Sequence, residues 1–335
     1  MPVRVTGVSA YLPDTVMTST EAEAKLAASG SGHRPRPGSI EKLTGIRRRH
    51  VAGDAQYASD LAVAAATELL TRLGVESGTL DLIVFAAASH DILEPATSHV
   101  VAAKLGATCP VFDVKNACNS FLNGMQVAEA LIATGQYRRV LVCAGETGSR
   151  TVRWRITDRA EFVDSFPGYT LSDGGAAMLL EQAPEPGILH RTFGADSTQW
   201  NVSVVAGTGA GNLRDPYHDG FIRGDGHRLQ EALLKVNLRG LLDAALDAAR
   251  VTRDGIAVYC IHQVAVPVLR TSLKALNIPA AKVVMTVADH GNVAACSLPL
   301  QLTRALAEGR CGPGDKVALI GLAGGVSVGI IILEL

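Results

Sequence analysis

Short apolar runs alternate with helical patterns along this chain, and this alternation is the feature that most constrains its fold. Residues 82–87 and 140–144 are continuously apolar, as strands buried on both faces are. Residues 58–73 carry leucine and alanine at helical spacing just before the first of these runs. Because buried strands that alternate with amphipathic helices pack as layers, the pattern predicts an α/β fold.

A weak internal repeat indicates how the layers are organised. Residues 173–181 and 324–334 each carry a glycine turn that leads into an apolar strand ending in glutamate. The repeat predicts two copies of one α/β unit, a first half of residues 1–180 and a second half of residues 181–335. A chain of 335 residues with 47% hydrophobic content is long enough to bury a core of that size.

The longest uncharged run, residues 317–333, approaches the length of a transmembrane helix. It contains several glycines and is rich in β-branched residues, which favours strands over one long helix. The sequence therefore predicts two buried strands joined by a glycine turn.

Two other segments are predicted to be helical. Residues 18–26 form a short helix with Ser19 or Thr20 as its cap, and residues 228–249 form one long helix with an apolar face.

Composition and charge exclude several classes of partner. Thirty-one basic and 32 acidic residues leave a formal charge of −1, so no global field attracts nucleic acid or an anionic membrane. The N-terminus lacks the basic-then-apolar layout of a signal peptide. The six cysteines show no paired spacing and no Cys-x-x-Cys, which argues against zinc or disulfides and fits a reducing compartment. We therefore expect a cytoplasmic protein with no metal, no nucleic-acid partner and no membrane span.

Cys118 stands in a small polar turn between the mostly apolar residues 111–114 and a helical pattern that stops at Gly135. A cysteine in that turn lies over the positive end of a helix, where the dipole and unpaired N–H groups favour the thiolate. The alternative is a small core residue, the commoner role of a cysteine in an apolar chain.

Two polar residues share this kind of position with Cys118. His262 follows the predicted strand of residues 256–261, and Asn292 follows the predicted strand of residues 282–287. Because ligands bind beyond the strand ends of an open α/β sheet, the three side chains are candidates for one site. In the alternative interpretation, His262 is a hydrogen-bonded core histidine and Asn292 is a helix cap.

Several short motifs, taken in this order and spacing, resemble the β-ketoacyl-acyl-carrier-protein synthase III group of the thiolase-fold condensing enzymes. The resemblance runs the full length of the chain. It implies a thiolase fold, in which two similar α/β halves form a five-layered αβαβα arrangement. The motifs are Gly7 to Pro13, Thr44-Gly-Ile-Arg47, Asn116-Ala-Cys118, Ser172-Asp-Gly-Gly175, His262-Gln263, His290-Gly-Asn292 and Ala323-Gly-Gly325.

The resemblance also implies a chemistry. Cys118 would attack an acyl thioester, and its own N–H with that of Gly324 would form the oxyanion hole. His262 and Asn292 would bind the carbonyl of a malonyl-type thioester and stabilise the enolate that forms as carbon dioxide leaves. No cofactor is implied, since the substrates are acyl thioesters of acyl carrier protein or coenzyme A. The remaining predicted substrate-binding residues are Arg47, Gln263, His290 and Glu94.

Some positions depart from the pattern of the enzymes that initiate bacterial fatty-acid synthesis. Those enzymes usually carry the sequence His-Gln-Ala-Asn, and Ala265 stands here in place of its asparagine. Two residues further on, Pro267 stands in place of a basic residue that is linked to docking of the carrier protein. The tryptophan and arginine that contact coenzyme A align with Ser39 and Leu43. These changes argue against a standard initiator primed by acetyl-coenzyme A.

Glu94 occupies the position that commonly caps the acyl pocket with an aromatic side chain from the dimer partner. A carboxylate against a plain alkyl chain is costly, because a buried charge needs a partner. We therefore expect either a polar acyl group or an open tunnel mouth.

Three functions fit these features. The first is a condensing enzyme of a specialised polyketide or lipid pathway, supplied by a carrier protein and homodimeric like the group it resembles. The second is an acyltransferase that passes the acyl group from Cys118 to a hydroxyl or amine, with His262 as general base. The third is a non-catalytic partner of another synthase. The basic cluster that includes Arg47 is either a solvated strand edge or a phosphate contact.

Overall fold

The computed structural model describes residues 1–206 and 220–335. The strands are β1 (Val3–Tyr11), β2 (Val16–Thr18), β3 (Arg48–His50), β4 (Leu82–Ala86), β5 (Val111–Val114), β6 (Arg139–Thr147), β7 (Asp173–Gln182), β8 (Ile188–Ala195), β9 (Ser203–Val205), β10 (Ile222–Gly224), β11 (Ile256–Ile261), β12 (Lys316–Ala323) and β13 (Ser327–Glu334). The helices are α1 (Ser19–Ala28), α2 (Ser39–Thr44), α3 (Ala58–Leu73), α4 (Thr97–Leu105), α5 (Ser120–Ala133), α6 (Arg159–Ser165), α7 (Gly226–Lys235), α8 (Leu238–Ala248), α9 (Val266–Leu276), α10 (Val287–His290) and α11 (Ser297–Ala307).

Two sheets with the same strand order form the framework. The first runs β1-β7-β6-β4-β5, with β7 antiparallel to β1 and β6, and β4 parallel to β6 and β5. The second runs β8-β13-β12-β11, with β13 antiparallel to β8 and β12, and β11 parallel to β12. A single parallel bridge from Tyr259 to Val283 continues the second sheet where β5 continues the first. The repeated sequence segments thus fall on β7 and β13, which hold equivalent positions.

Helices fill the space between the sheets and cover their outer faces. The helices α5 and α11 contact both sheets and form the central layer. The helices α3 and α4 cover the outer face of the first sheet, while α8 and α9 pack on the second. This gives the five layers αβαβα that the resemblance implies. Residue 180 lies inside β7, and the division into halves 1–180 and 181–335 remains a prediction.

The uncharged run near the C-terminus forms a buried hairpin, as the sequence predicts. The strands β12 and β13 pair in continuous antiparallel register, and nearly all their residues are buried. No helix within residues 1–206 and 220–335 is long and apolar enough to cross a membrane.

The single helix predicted for residues 228–249 is wrong, because the chain breaks into α7 and α8 at Asn237. This residue adopts a left-handed conformation with φ 50°, which asparagine tolerates better than most side chains. Its side chain accepts a hydrogen bond from Gly240 N at 3.2 Å and so caps α8. A Cβ at Gly240 would lie 2.4 Å from Asn237 Nδ2, so the glycine makes room for this cap.

The strand predicted for residues 282–287 is also wrong. Only Val283 pairs with a strand, and the chain turns into α10 at Val287. The buried side chain of Gln263 takes up the backbone groups that a neighbouring strand would otherwise pair: its amide donates to Val284 O and accepts from Thr286 N. The hydrogen bonds of the Gln263 side chain thus replace the backbone hydrogen bonds that a paired strand would make.

The predicted cap of α1 is off by one residue. Thr18 is the cap, and it forms a capping box with Glu21 in which each side chain bonds the other's backbone N–H.

Candidate active site

The turn that carries Cys118 lies between the end of β5 and the start of α5. Ala117 adopts φ 47°, a left-handed conformation that costs energy for a residue with a Cβ. The turn is fixed by Ser120, whose hydroxyl accepts from Asn116 N at 2.8 Å and donates to Ala117 O at 2.7 Å. Cys118 is therefore presented by a strained, hydrogen-bonded turn just ahead of the helix.

The thiol of Cys118 is not poised as a thiolate. Its burial raises the pKa to about 12, and the negative charge of Glu146 acts in the same direction. This direction is opposite to the thiolate that the helix end is expected to favour: desolvation and a nearby carboxylate raise the pKa, and a hydrogen bond to the backbone of Cys118 only partly offsets them. The resting nucleophile is a thiol, and its proton must leave as the sulfur attacks.

The nucleophile turn rests on the hairpin of the second sheet. Asn119 Nδ2 donates to Ser327 Oγ at 3.0 Å, and a Cβ at Gly321 would lie only 1.9 Å from Asn119 Oδ1. Gly324 lies in the turn that connects β12 to β13, between these two contact points. The hairpin contact thus brings the Cys118 turn and the Gly324 turn into one neighbourhood, although their roles as oxyanion donors remain predictions.

His262 directly follows β11 and is anchored by its backbone N–H, which donates to Ile320 O at 2.9 Å. The side chain is buried, and neither ring nitrogen has a hydrogen-bond partner within the described residues. Burial lowers its pKa to about 4. At neutral pH the ring is therefore an uncharged imidazole with a free N–H, and it is not the hydrogen-bonded core histidine of the alternative interpretation.

Asn292 is held at its backbone by the segment before β7. Its N–H donates to Thr170 O at 2.8 Å, and its carbonyl accepts from Ser172 N at 2.9 Å. The side-chain oxygen accepts from Ala294 N at 3.0 Å, a local cap of the kind that the alternative interpretation expects. That bond fixes the amide plane, and in the described part of the chain Nδ2 donates to no protein atom. The NH₂ group is thus an oriented donor that remains available.

Glu146 belongs to the site but is absent from the sequence-based list. It stands near the end of β6, is almost completely buried, and accepts from Ala88 N, Ser89 N and Ala295 N. It therefore ties the loop after β4 to the segment that follows Asn292. Burial raises its pKa, and its charge reaches Cys118. The available signal was a carboxylate after a fully apolar strand, the kind of position that singled out His262.

Gln263 lies in the framework of the site. The residue is 1% exposed, and its carbonyl oxygen accepts from Thr286 N and Val287 N while its NH₂ group donates to Val284 O. This geometry does not support the predicted contact with substrate, because the amide is committed to the turn that leads into α10.

The predicted binding residues Arg47 and His290 are likewise engaged with the protein. Arg47 Nε and Nη2 both donate to the carboxylate of Asp289, which holds the pKa of Asp289 below its usual range. His290 Nδ1 lies 2.9 Å from His50 Nε2. Glu94, by contrast, is exposed in the single chain, and the peptide bond to Pro95 is cis. Its predicted contact with the acyl group remains a prediction.

Together, the five-layered fold and a site with a thiol, an uncharged imidazole and an amide donor define a thiolase-fold condensing enzyme. Within the described residues, no group of three or more histidine, cysteine or acidic side chains could hold a metal ion. Family models match the chain as 3-oxoacyl-[acyl-carrier-protein] synthase III over residues 112–197 and as the C-terminal part of the same synthase over residues 246–335.

The chain belongs to the 3-oxoacyl-[acyl-carrier-protein] synthase III family. It is 33% identical to the β-ketoacyl-[acyl-carrier-protein] synthase III of Neisseria meningitidis serogroup C, over 99% of this chain and 98% of the relative. The predicted family is thereby confirmed.

Solved structures confirm the predicted fold. OleA from Xanthomonas campestris, in crystals with lauric acid and lauroyl-CoA, is 25% identical with a TM-score of 0.87, over 100% of this chain and 99% of that one. The synthase III FabH from Pseudomonas aeruginosa is 26% identical with a TM-score of 0.85, over 100% and 98% of the two chains.

Proposed function

We propose that this protein joins an acyl group held on Cys118 to a malonyl-type thioester with loss of carbon dioxide. In the first step the Cys118 sulfur displaces the carrier thiol from an acyl thioester, and the thiol proton passes to the departing thiolate. In the second step the malonyl thioester loses carbon dioxide, and the enolate carbon attacks the acyl carbonyl. The products are a β-ketoacyl thioester and the Cys118 thiolate, which takes a proton from water.

The two unused donors, one on His262 and one on Asn292, carry this proposal. His262 is uncharged and offers one N–H, and Asn292 offers an oriented NH₂ group. Decarboxylation places negative charge on the thioester oxygen, and donors that are already aimed at it stabilise that charge without reorganising. Transfer to a hydroxyl or amine forms no enolate, so it would leave the second donor without a task.

The donor is proposed to arrive on an acyl carrier protein, in a specialised polyketide or lipid pathway. The two positions that would contact coenzyme A hold Ser39, which begins α2, and Leu43, which is 57% exposed. Neither side chain has an aromatic ring to stack on the adenine of coenzyme A or a positive charge to pair with the phosphates of coenzyme A. The Neisseria relative is named for a β-ketoacyl-[acyl-carrier-protein] product, which supports acyl carrier protein as the carrier of the malonyl group here.

A homodimer is also proposed. The outer edge of β5 pairs with no described strand, and its unpaired backbone groups could join a second copy into one continuous sheet. Ile92 and Leu93, which are exposed in the single chain, would be covered by the same contact. Glu94 would then face the acyl pocket of the partner copy. Light scattering on the purified protein tests this assembly.

Intact-protein mass spectrometry tests the proposed reaction. The protein is incubated with acyl thioesters of carrier protein and of coenzyme A, and malonyl thioester, an alcohol or an amine is then added. We expect an adduct that Cys118→Ala abolishes and that malonyl thioester discharges with release of carbon dioxide. Cys109→Ala is the matched control, because Cys109 is the other cysteine with partial exposure.

Other outcomes would contradict the proposal in distinct ways. Discharge by an alcohol or amine alone would make the protein an acyltransferase. The absence of an adduct with every donor would indicate a non-catalytic partner of another synthase.

A further inference from the structure

The segment from Arg47, the last residue of the Thr44-Gly-Ile-Arg47 motif, to His50 lies against the turn that carries Asn292. Arg47 N donates to Ala288 O at 2.8 Å, and the Arg47 guanidinium makes two hydrogen bonds to Asp289. A Cβ at Gly291 would lie 3.1 Å from Arg49 Cβ, so the two backbones are in close contact there. Residues 47–50 therefore hold residues 288–291 by backbone and side-chain contacts, and we call this set of contacts the clamp.

The side-chain centre of this clamp is a pair of histidines. His50 Nδ1 lies 2.6 Å from Pro13 O, and His50 Nε2 lies 2.9 Å from His290 Nδ1. A carbonyl only accepts, so His50 Nδ1 must carry the proton and His50 Nε2 is left as an acceptor in the neutral ring. His290 Nδ1 must then be the donor. The protein carbonyl thus fixes the tautomer of both rings.

Two paths lead from His50 to Asn292. The first runs through His290, which is joined to Asn292 by Gly291 at φ 66°. The second runs through Ser172, whose hydroxyl accepts from His50 N at 2.8 Å and whose N–H donates to Asn292 O at 2.9 Å. If His50 moves, both chains of contacts are expected to move Asn292.

Burial, helped by two arginines, keeps both rings neutral. Burial is the main cause that lowers the pKa of both histidines, that of His290 to about 4. Arg48 and Arg304 act in the same direction, whereas Asp14 favours a charged His50 and Asp289 a charged His290. The hydrogen bond between the rings requires an acceptor on His50, and the neutral state supplies it.

We propose that His50 is a positioning residue for Asn292 and that, through its hydrogen bond to His290, it aims the amide at the thioester oxygen. This inference rests on the proposed function. The proposed role of His50 concerns decarboxylation and not acylation, because acylation of Cys118 does not use the Asn292 amide. Loss of the hydrogen bond should therefore slow decarboxylation and leave acylation nearly unchanged.

The test compares two substitutions at one position. His50→Phe keeps a ring of similar size beside His290 but removes both side-chain hydrogen bonds. His50→Gln keeps an oxygen that can accept from His290. His33→Phe is the matched control, since His33 is also half-buried and its ring packs on Phe162 at 5.1 Å. Each full-length variant is assayed for acylation of Cys118 and, separately, for carbon dioxide release from malonyl thioester.

We expect His50→Phe to lower carbon dioxide release by about 10- to 100-fold, the scale of a displaced catalytic group. Acylation should stay within about twofold of the unmodified protein, and His50→Gln should recover most of the lost rate. Equal losses in both assays would refute the positioning role, as would unchanged carbon dioxide release by His50→Phe. If the unmodified protein releases no carbon dioxide, the proposed function itself fails, and this role fails with it.

Discussion

Replacement of Gly321 by alanine should disable the nucleophile without unfolding the protein. Gly321 lies in β12 directly beneath the Cys118 turn, where an added Cβ would be 1.9 Å from Asn119 Oδ1 and 2.7 Å from Leu122 Cδ1. The glycine has no positive φ, so alanine suits its backbone and only the space is lacking. The perturbation is therefore purely steric, and it acts on the residue next to Cys118.

The size of the effect follows from these distances. Cβ atoms do not approach other heavy atoms below 3.0 Å, so Asn119 Oδ1 must retreat by about 1.1 Å. Asn119 is buried and bonded to Ser327, so the displacement passes to the adjacent Cys118. A misplacement of about 1 Å costs roughly 100-fold in rate. Overpacking of this kind should lower the free energy of unfolding by only about 1–3 kcal/mol.

The assay is the rate of Cys118 acylation, followed by mass spectrometry, together with urea unfolding. Gly329→Ala is the matched control, because Gly329 pairs with Gly321 across the hairpin and its added Cβ would meet the ring of Phe193 at 2.7 Å. We expect that variant to keep most of its acylation rate. Gly321→Ala combined with Asn119→Ala should recover part of the lost rate, since it removes the clashing oxygen.

Two results would refute this reasoning. An acylation rate near that of the unmodified protein in Gly321→Ala would show that the hairpin contact does not set the position of the nucleophile. Equal losses in Gly321→Ala and Gly329→Ala would show that any added bulk in the hairpin has the same effect.

Four further outcomes are expected from particular contacts. Because the pKa of Cys118 is raised to about 12, the rate at which iodoacetamide alkylates Cys118 should rise about tenfold per pH unit between pH 7 and 9. Glu146→Gln should move this pH dependence to lower pH. A rate that levels off below pH 9 would contradict the raised pKa. Since the pKa of His262 is about 4 in the folded protein and 6.5 ordinarily, the unfolded chain binds more protons between these values. The free energy of unfolding in urea should therefore fall from pH 6.5 towards 4, and the fall should be smaller in His262→Asn. Glu94→Phe should shift donor preference towards short alkyl groups, and an unchanged donor profile would reject the proposed pocket. Thr18→Ala should lower the free energy of unfolding by about 1 kcal/mol, because the capping box is lost; an unchanged urea midpoint would show that the cap contributes nothing.

The nucleophile and the histidine of the proposed site both rest in their uncharged forms. Burial keeps Cys118 a thiol and His262 an imidazole, so neither group presents a charge to an incoming thioester. A charged pair would attract water and counterions, whereas neutral donors respond to the charge that develops on the substrate. Glu146 reinforces this state, since its carboxylate opposes a thiolate at Cys118.

The elements that periodicity predicts best are those whose own side chains form the core. α3 covers the predicted residues because its side chains at helical spacing are buried, and the uncharged run forms the predicted hairpin because nearly every residue of β12 and β13 is buried. Cys118 and His262 come after β5 and β11, as expected, whereas Asn292 comes after α10, because residues 282–287 do not form the predicted strand.

Where the predictions fail, a side chain distant in sequence or in an unusual conformation decides the local structure. Gln263 supplies the backbone partners that turn residues 284–287 away from a strand, and Asn237 breaks a continuous helical pattern with one left-handed residue. Both effects involve hydrogen bonds of a polar side chain to backbone, which leave no trace in hydrophobic periodicity.

The sequence by itself determined the layered α/β fold and the family, and it singled out Cys118, His262 and Asn292 as the predicted catalytic residues. Their protonation states and the framework around them were decided by the tertiary structure alone. Burial, which depends on every packed layer, reversed the expected charge of Cys118. Contacts between residues more than 200 positions apart, such as His50 with His290 and Arg47 with Asp289, bind the basic motif to the turn that carries Asn292. A pKa and a hydrogen bond depend on which groups meet in space, and the order of residues along the chain does not specify that.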